Sequence, residues 1–81
     1  MSLEALQNAS KVIGIKQVTK AVNKGLVEAV FIAEDADARV LQPLKELCDE
    51  KKVGTVIVPT MTELGLACSI EVGAAAAAVL K

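Results

Sequence analysis

Eighty-one residues, 53% of them hydrophobic, suffice for one modest core and read as a single folded domain spanning 1–81, which excludes a disordered chain. There is no histidine and one aromatic residue, Phe31; that removes the commonest general base and metal ligand, and any surface that stacks bases on rings. Net charge is −1, but it is unevenly spread: Lys11, Lys16, Lys20 and Lys24 face only Glu4 in the first 25 residues, whereas 26–50 are strongly acidic.

The longest apolar run, Val72 to Leu80, is about half of the roughly 20 residues that cross a bilayer. Ser2-Leu3-Glu4 stands where a signal peptide would carry basic residues. A soluble, cytoplasmic protein without membrane attachment is expected, monomeric by default. Cys48 and Cys68 match no zinc or redox spacing and read as buried thiols. No serine sits in a Gly-x-Ser-x-Gly context, and neither a Gly-x-Gly-x-x-Gly turn nor a Walker loop is present. A catalytic role, a metal site and a cofactor are therefore not expected.

In chain order, Ser2 caps a short helix to about Ala9, with Leu3 and Leu6 as its apolar positions. Val12-Ile13 is a brief strand ending at Gly14. Ile15, Val18 and Val22 recur at helical spacing, giving a helix to about Lys24 that Gly25 stops. Glu28 to Ala33 reads as a buried strand. Asp35 and Asp37 can cap the following helix, whose apolar stripe is Val40, Leu41, Leu44, Leu47 and Cys48. Lys51-Lys52 suit its C-terminal dipole, and Gly54 is expected to end it. Thr55 to Val58 reads as a second buried strand, stopped by Pro59. Thr60-x-x-Glu63 matches a capping box and opens a helix to about Ala67. The tail, Ala74 to Leu80, is open: alanine propensity favours a helix, topology an inserted strand. Alternating strands and helices predict a layered α/β domain with its sheet covered on both faces.

The helix from Gly14 is poorly composed for stability alone. Lys16, Lys20 and Lys24 stack at i, i+4 spacing with no acid on the helix to relieve them. Lys16 also lies in the first turn, where the dipole disfavours a cation by about 0.3–1 kcal/mol. A solvated lysine face is one reading. The other is docking on RNA: backbone N–H groups and the dipole attract phosphate, Gly14 admits a close backbone, Lys16 and Gln17 reach purine edges, and the lysines beyond meet phosphates. Regular A-form RNA hides those edges in a narrow groove, so the target is distorted, single-stranded or bulged.

Gly14-Ile15-Lys16-Gln17-Val18-Thr19-Lys20 with Lys24-Gly25, then Phe31-Ile32-Ala33-Glu34-Asp35-Ala36-Asp37, then Glu63 to Cys68 leading into Ile70-Glu71-Val72-Gly73 follow one another over nearly the whole chain. In this order they resemble the kink-turn-binding ribosomal proteins of the L-seven-Ae and L-thirty-e type and their small bacterial relatives. The resemblance implies a three-layer α-β-α sandwich around a four-stranded mixed sheet, with the alanine tail as its last strand. It implies a non-catalytic, ribosomal or ribosome-associated protein whose partner is a kink-turn in ribosomal or regulatory RNA. Gly14, Ile15, Lys16, Gln17 and Lys20 would meet the tandem sheared G·A pairs, Lys24 a phosphate, and Ile70, Glu71 and Val72 the extruded nucleotide. Taken alone, Ile70 to Val72 also reads as the start of a buried strand. An adaptor docking a protein through Glu34, Asp35 and Asp37 is the alternative, against those acids serving only as caps and solubilising charge.

Overall fold

The computed structural model describes residues 4–81, with side chains from Leu6 onward. Its order is α1 (Glu4–Asn8), β1 (Lys11–Ile13), α2 (Ile15–Asn23), β2 (Val27–Ala33), α3 (Ala38–Glu50), β3 (Gly54–Val58), α4 (Met61–Ala67) and β4 (Ala76–Leu80). The expected Ser2 cap and the apolar position at Leu3 lie outside the described residues.

The four strands form one mixed sheet in the order β1-β4-β2-β3. β4 runs antiparallel to both its neighbours, while β2 and β3 are parallel. Strand alternation divides the core in two. Val30, Ile32, Ala76 and Ala78 face α2 and α3, where Val18, Val22, Leu41, Leu44 and Cys48 meet them. Phe31, Ala33, Ala77 and Val79 face the other way, toward Leu6 of α1, Leu64 and Ala67 of α4, and Cys68 at the C-cap of α4. The result is the expected three-layer sandwich.

The alanine tail is a strand, and an inner one. Ala77 pairs with Ile13 on one side and Phe31 on the other, and Ala76 to Ala78 are fully buried. Two flanking strands supply the hydrogen bonds that helix propensity would otherwise seek, so tertiary pairing overrides local preference. Small side chains let helices settle closely on both faces.

Three expectations are corrected. Thr55 to Val58 is only partly buried: β3 is an edge strand, Val58 lies in the core and Val56 packs against it, but Thr55 is exposed and Ile57 is 51% exposed. An apolar run does not distinguish an inner strand from an edge. Val40 leaves the α3 stripe for solvent at 45% exposure, because the helix presents Leu41, Leu44 and Cys48 to the sheet. Finally, Gly54 opens β3 instead of ending α3. The left-handed residue after α3 is Lys52, at φ 60°.

Three helices finish in the same way. Gly25, Lys52 and Ser69 take positive φ after α2, α3 and α4. The next residue then reaches back five positions, with Leu26 N–H donating to Ala21, Val53 to Cys48 and Ile70 to Gly65. These are Schellman closures, each followed by an apolar side chain.

Candidate nucleic-acid interface

Sheet topology decides what can meet. β1, β2 and β3 all end at the edge where β4 begins, so the segments after Ile13, Ala33 and Val58 and before Ala76 share one end of the molecule. Gly14 N–H donates to the Ala76 carbonyl at 2.8 Å, and Ala33 N–H to Ala75 at 2.9 Å, which ties three of those segments together. Gly14 to Gln17, the acidic loop and the 69–75 loop therefore lie side by side, although up to 60 residues separate them in the chain.

Gly14 is the N-cap of α2, with φ 97° and ψ 149°, a region open essentially to glycine alone. A Cβ there would meet nothing within 4 Å. The glycine thus serves backbone geometry and leaves open space in front of the helix. The first helical hydrogen bond runs from Val18 N–H to Gly14, at 2.9 Å, leaving Ile15, Lys16 and Gln17 N–H without helical acceptors. No side chain caps this end and no acid lies in its first turn. Both features favour an anion there.

Behind that end, Val18, Ala21 and Val22 anchor α2 in the core, and Ile15 packs at its margin. Lys16, Gln17 and Lys20 point to solvent. Thr19 turns inward, its hydroxyl donating to the Ile15 carbonyl at 2.7 Å. Gln17, Lys20 and Lys24 rim a shallow groove of about 160 Å³ with Val12, Ala21 and Leu80 at its floor. Lys24 stands about 10 Å further along the helix axis than Gln17 and lies at the far end of the sheet.

The 69–75 loop is fastened at both ends. Ile70 N–H closes on Gly65, and Ala74 N–H donates to Met61 at 3.1 Å. Gly65, inside α4, is where the loop rests: a Cβ would collide with the Val72 carbonyl oxygen. Sequence reading did not assign Gly65 a role, although a glycine inside a helix is the available signal for close backbone approach. Ile70 is half-buried against the core, Glu71 is exposed and Val72 is 70% exposed. These residues form a loop, with β4 beginning only at Ala76, so the buried-strand reading of 70–72 does not hold.

The acids of the neighbouring loop are largely occupied. Asp37 caps α3, accepting from Arg39 N–H at 2.9 Å, and forms an ion pair with the Arg39 guanidinium at 3.1 Å. The Arg39 side chain and then its backbone N–H hold the Asp37 carboxyl below its ordinary range. Asp35 does not cap α3. It accepts from Met61 N–H at 2.8 Å and so fastens the start of α4. Thr60 accepts from Glu63 N–H at 3.1 Å, the forward half of the expected capping box.

Cys48 and Cys68 are buried and unpaired, as their spacing predicts, and burial pushes both thiols up. Among the described residues no cluster of cysteine and carboxylate side chains could hold a metal ion. Nor is any described helix long and apolar enough to cross a membrane.

The model of the ribosomal protein L7Ae/L30e/S12e/Gadd45 family matches residues 2–81. An RNA-binding protein of Caldanaerobacter subterraneus is 48% identical over 68 residues, covering 84% of this chain and 83% of its own. One from Geobacillus kaustophilus is 42% identical over 82 residues, the full length of both. Among solved structures, the Giardia lamblia 15.5kD RNA binding protein superposes with a TM-score of 0.90 at 30% identity, over 98% of this chain and 70% of that one. The chain belongs to the ribosomal protein L7Ae/L30e/S12e/Gadd45 family.

Proposed function

We propose that this protein is a non-catalytic RNA-binding protein that recognises and stabilises kink-turn RNA, acting as a monomer in the cytoplasm on ribosomal or ribosome-associated RNA. The observation that carries the reading is an uncapped, acid-free helix end presenting Lys16 and Gln17 beside an exposed aliphatic loop. Relatives along the full length that are named RNA-binding proteins support it.

Each part has a distinct task. The free N–H groups of Ile15 to Gln17 and the helix dipole receive a phosphate. The Lys16 ammonium donates to guanine O6 and N7, and the Gln17 amide both donates and accepts. Sheared G·A pairs widen the groove and expose those edges, which regular A-form RNA does not. Lys20, and Lys24 beyond it, neutralise phosphates that the bend brings together. Ile70 and Val72 cover an extruded nucleotide with aliphatic surface, Glu71 standing between them. Binding requires no chemical step: greater affinity for the bent RNA shifts its population toward that form.

The test compares one RNA carrying tandem sheared G·A pairs with the same RNA carrying Watson–Crick pairs there. Selective binding is expected, with Lys16→Ala and Gln17→Ala each weakening it about tenfold, near 1.4 kcal/mol. Equal, weak binding to both RNAs would overturn the reading.

A further inference from the structure

The opposite end of the sheet carries a second cationic surface. Lys24, Lys51, Lys52 and Lys81 line one open cavity of about 440 Å³. They are brought together by topology: α2 and α3 both end where β4 ends, and Lys81 N–H donates to the Leu26 carbonyl at 2.9 Å. Glu28, on the bulged stretch of β2 opposite Leu80 and Val79, is the single acidic side chain on the lining. Among the described residues the one ion pair is that of Arg39 with Asp37, so none of these lysines has an acidic partner there.

Two helix C-termini favour cations nearby, and that accounts in part for Lys24 and Lys51. The dipole favours the charge of Lys52 as well, but not a side chain at its backbone conformation. The Schellman position that Gly25 fills after α2 is filled after α3 by a lysine held at φ 60°, a conformation that disfavours side chains. The dipole does not account for Lys81, which follows a strand. Four ammonium groups outnumber the one acidic side chain, Glu28, on the same lining, and the excess of positive charge favours a bound anion.

The cavity is not isolated from the first site. Lys24 belongs both to its lining and to the α2 groove that Gln17 and Lys20 rim. A row of cations one helical turn apart leads from one end of the molecule to the other. Its four lysines are all exposed, which suits a chain passing through better than an enclosed ion. We propose that the Lys24–Lys51–Lys52–Lys81 cavity holds the phosphodiester backbone of the RNA strand that leaves the Gly14 end along α2. This rests on the RNA-binding reading above and extends its footprint to the far end of the protein.

The experiment uses the full chain and two kink-turn RNAs. In one, the flanking stem is clipped beside the G·A pairs; in the other it extends past the protein's 30 Å long axis. The variant Lys51→Gln/Lys52→Gly/Lys81→Gln leaves the first site untouched, and glycine at 52 suits its backbone. Wild-type protein is expected to bind the long RNA with a log K versus log salt slope steeper by about 2 than for the clipped one. The variant should lose that increment and bind the clipped RNA unchanged. Equal wild-type slopes on the two RNAs, or a variant that keeps the difference, would overturn the proposal. So would saturation of the cavity by inorganic phosphate with no dependence on stem length. Equal binding of kink-turn and Watson–Crick RNAs would overturn the kink-turn reading instead; the cavity then stands if the triple variant still flattens the slope on long stems, and falls if it does not.

Discussion

Gly14 donates its backbone N–H to Ala76 while holding φ at 97°, so one residue closes the sheet edge and starts the helix that carries Lys16 and Gln17. The same peptide unit therefore supports strand pairing and the orientation of α2. Gly14→Ala would force a Cβ into a backbone region that L residues avoid, although the surrounding space is empty. The expected loss is about 1–3 kcal/mol of stability, from strain and not from collision. Urea denaturation measures it. An unchanged midpoint would show that the backbone adapts freely. RNA affinity should fall more than stability predicts, because any relief of strain rotates the first turn of α2.

Gly65 supports the second part of the site from beneath. A Cβ there would strike the Val72 carbonyl, backbone against backbone, which a side-chain rotation cannot relieve. Gly65→Ala is expected to push the 70–73 loop outward and to cost about 1–3 kcal/mol. Backbone chemical shifts should move at Ile70 to Gly73 and leave Gly14 to Gln17 in place. Shifts at the α2 end instead would show that the two parts are not independently mounted.

Asp35 separates a structural acid from a docking acid. Its carboxylate accepts from Met61 N–H at the start of α4, 26 residues away in the chain. Asp35→Ala leaves that donor without its partner and is expected to cost about 0.5–2 kcal/mol, in the range of a lost helix cap. Removing a negative charge from this end of the sheet should not weaken RNA binding. A variant of undiminished stability that lost a protein partner from cell extracts would instead favour the adaptor role.

The layered fold was legible in the sequence because short continuous apolar runs alternate with period-3.6 apolar patterns along the chain. Val18 and Val22, or Leu41 and Leu44, declare their faces without reference to anything distant. What depends on neighbours did not show. Thr55 to Val58 is as apolar as β2 yet lies at the sheet edge, since strand order is a global property. Ala74 to Leu80 was legible as a strand only through family likeness, because its partners Ile13 and Phe31 lie more than 40 residues away. Lys16 and Gln17 stood out because they break a local rule at a helix start. The role of Gly65 and the gathering of Lys51 and Lys52 with Lys81 did not, because these relations are tertiary: a loop resting on a helix, and three chain segments ending at one cavity.

Lys16 gives the sharpest separation of function from stability. It sits in the first turn of an uncapped helix, with Lys20 one turn beyond it. Lys16→Glu would place an anion near the free N–H groups and pair it with Lys20 at i, i+4, the favourable order for a helix. Stability should rise by about 0.5–1 kcal/mol, read as a higher urea midpoint with an unchanged m-value. The same carboxylate would face the RNA where an ammonium donates, and selective binding to sheared G·A pairs should be lost. A residue kept for the fold would show both quantities falling together. Opposite signs in one variant would show that this lysine is held in place by what it binds and not by the helix it begins.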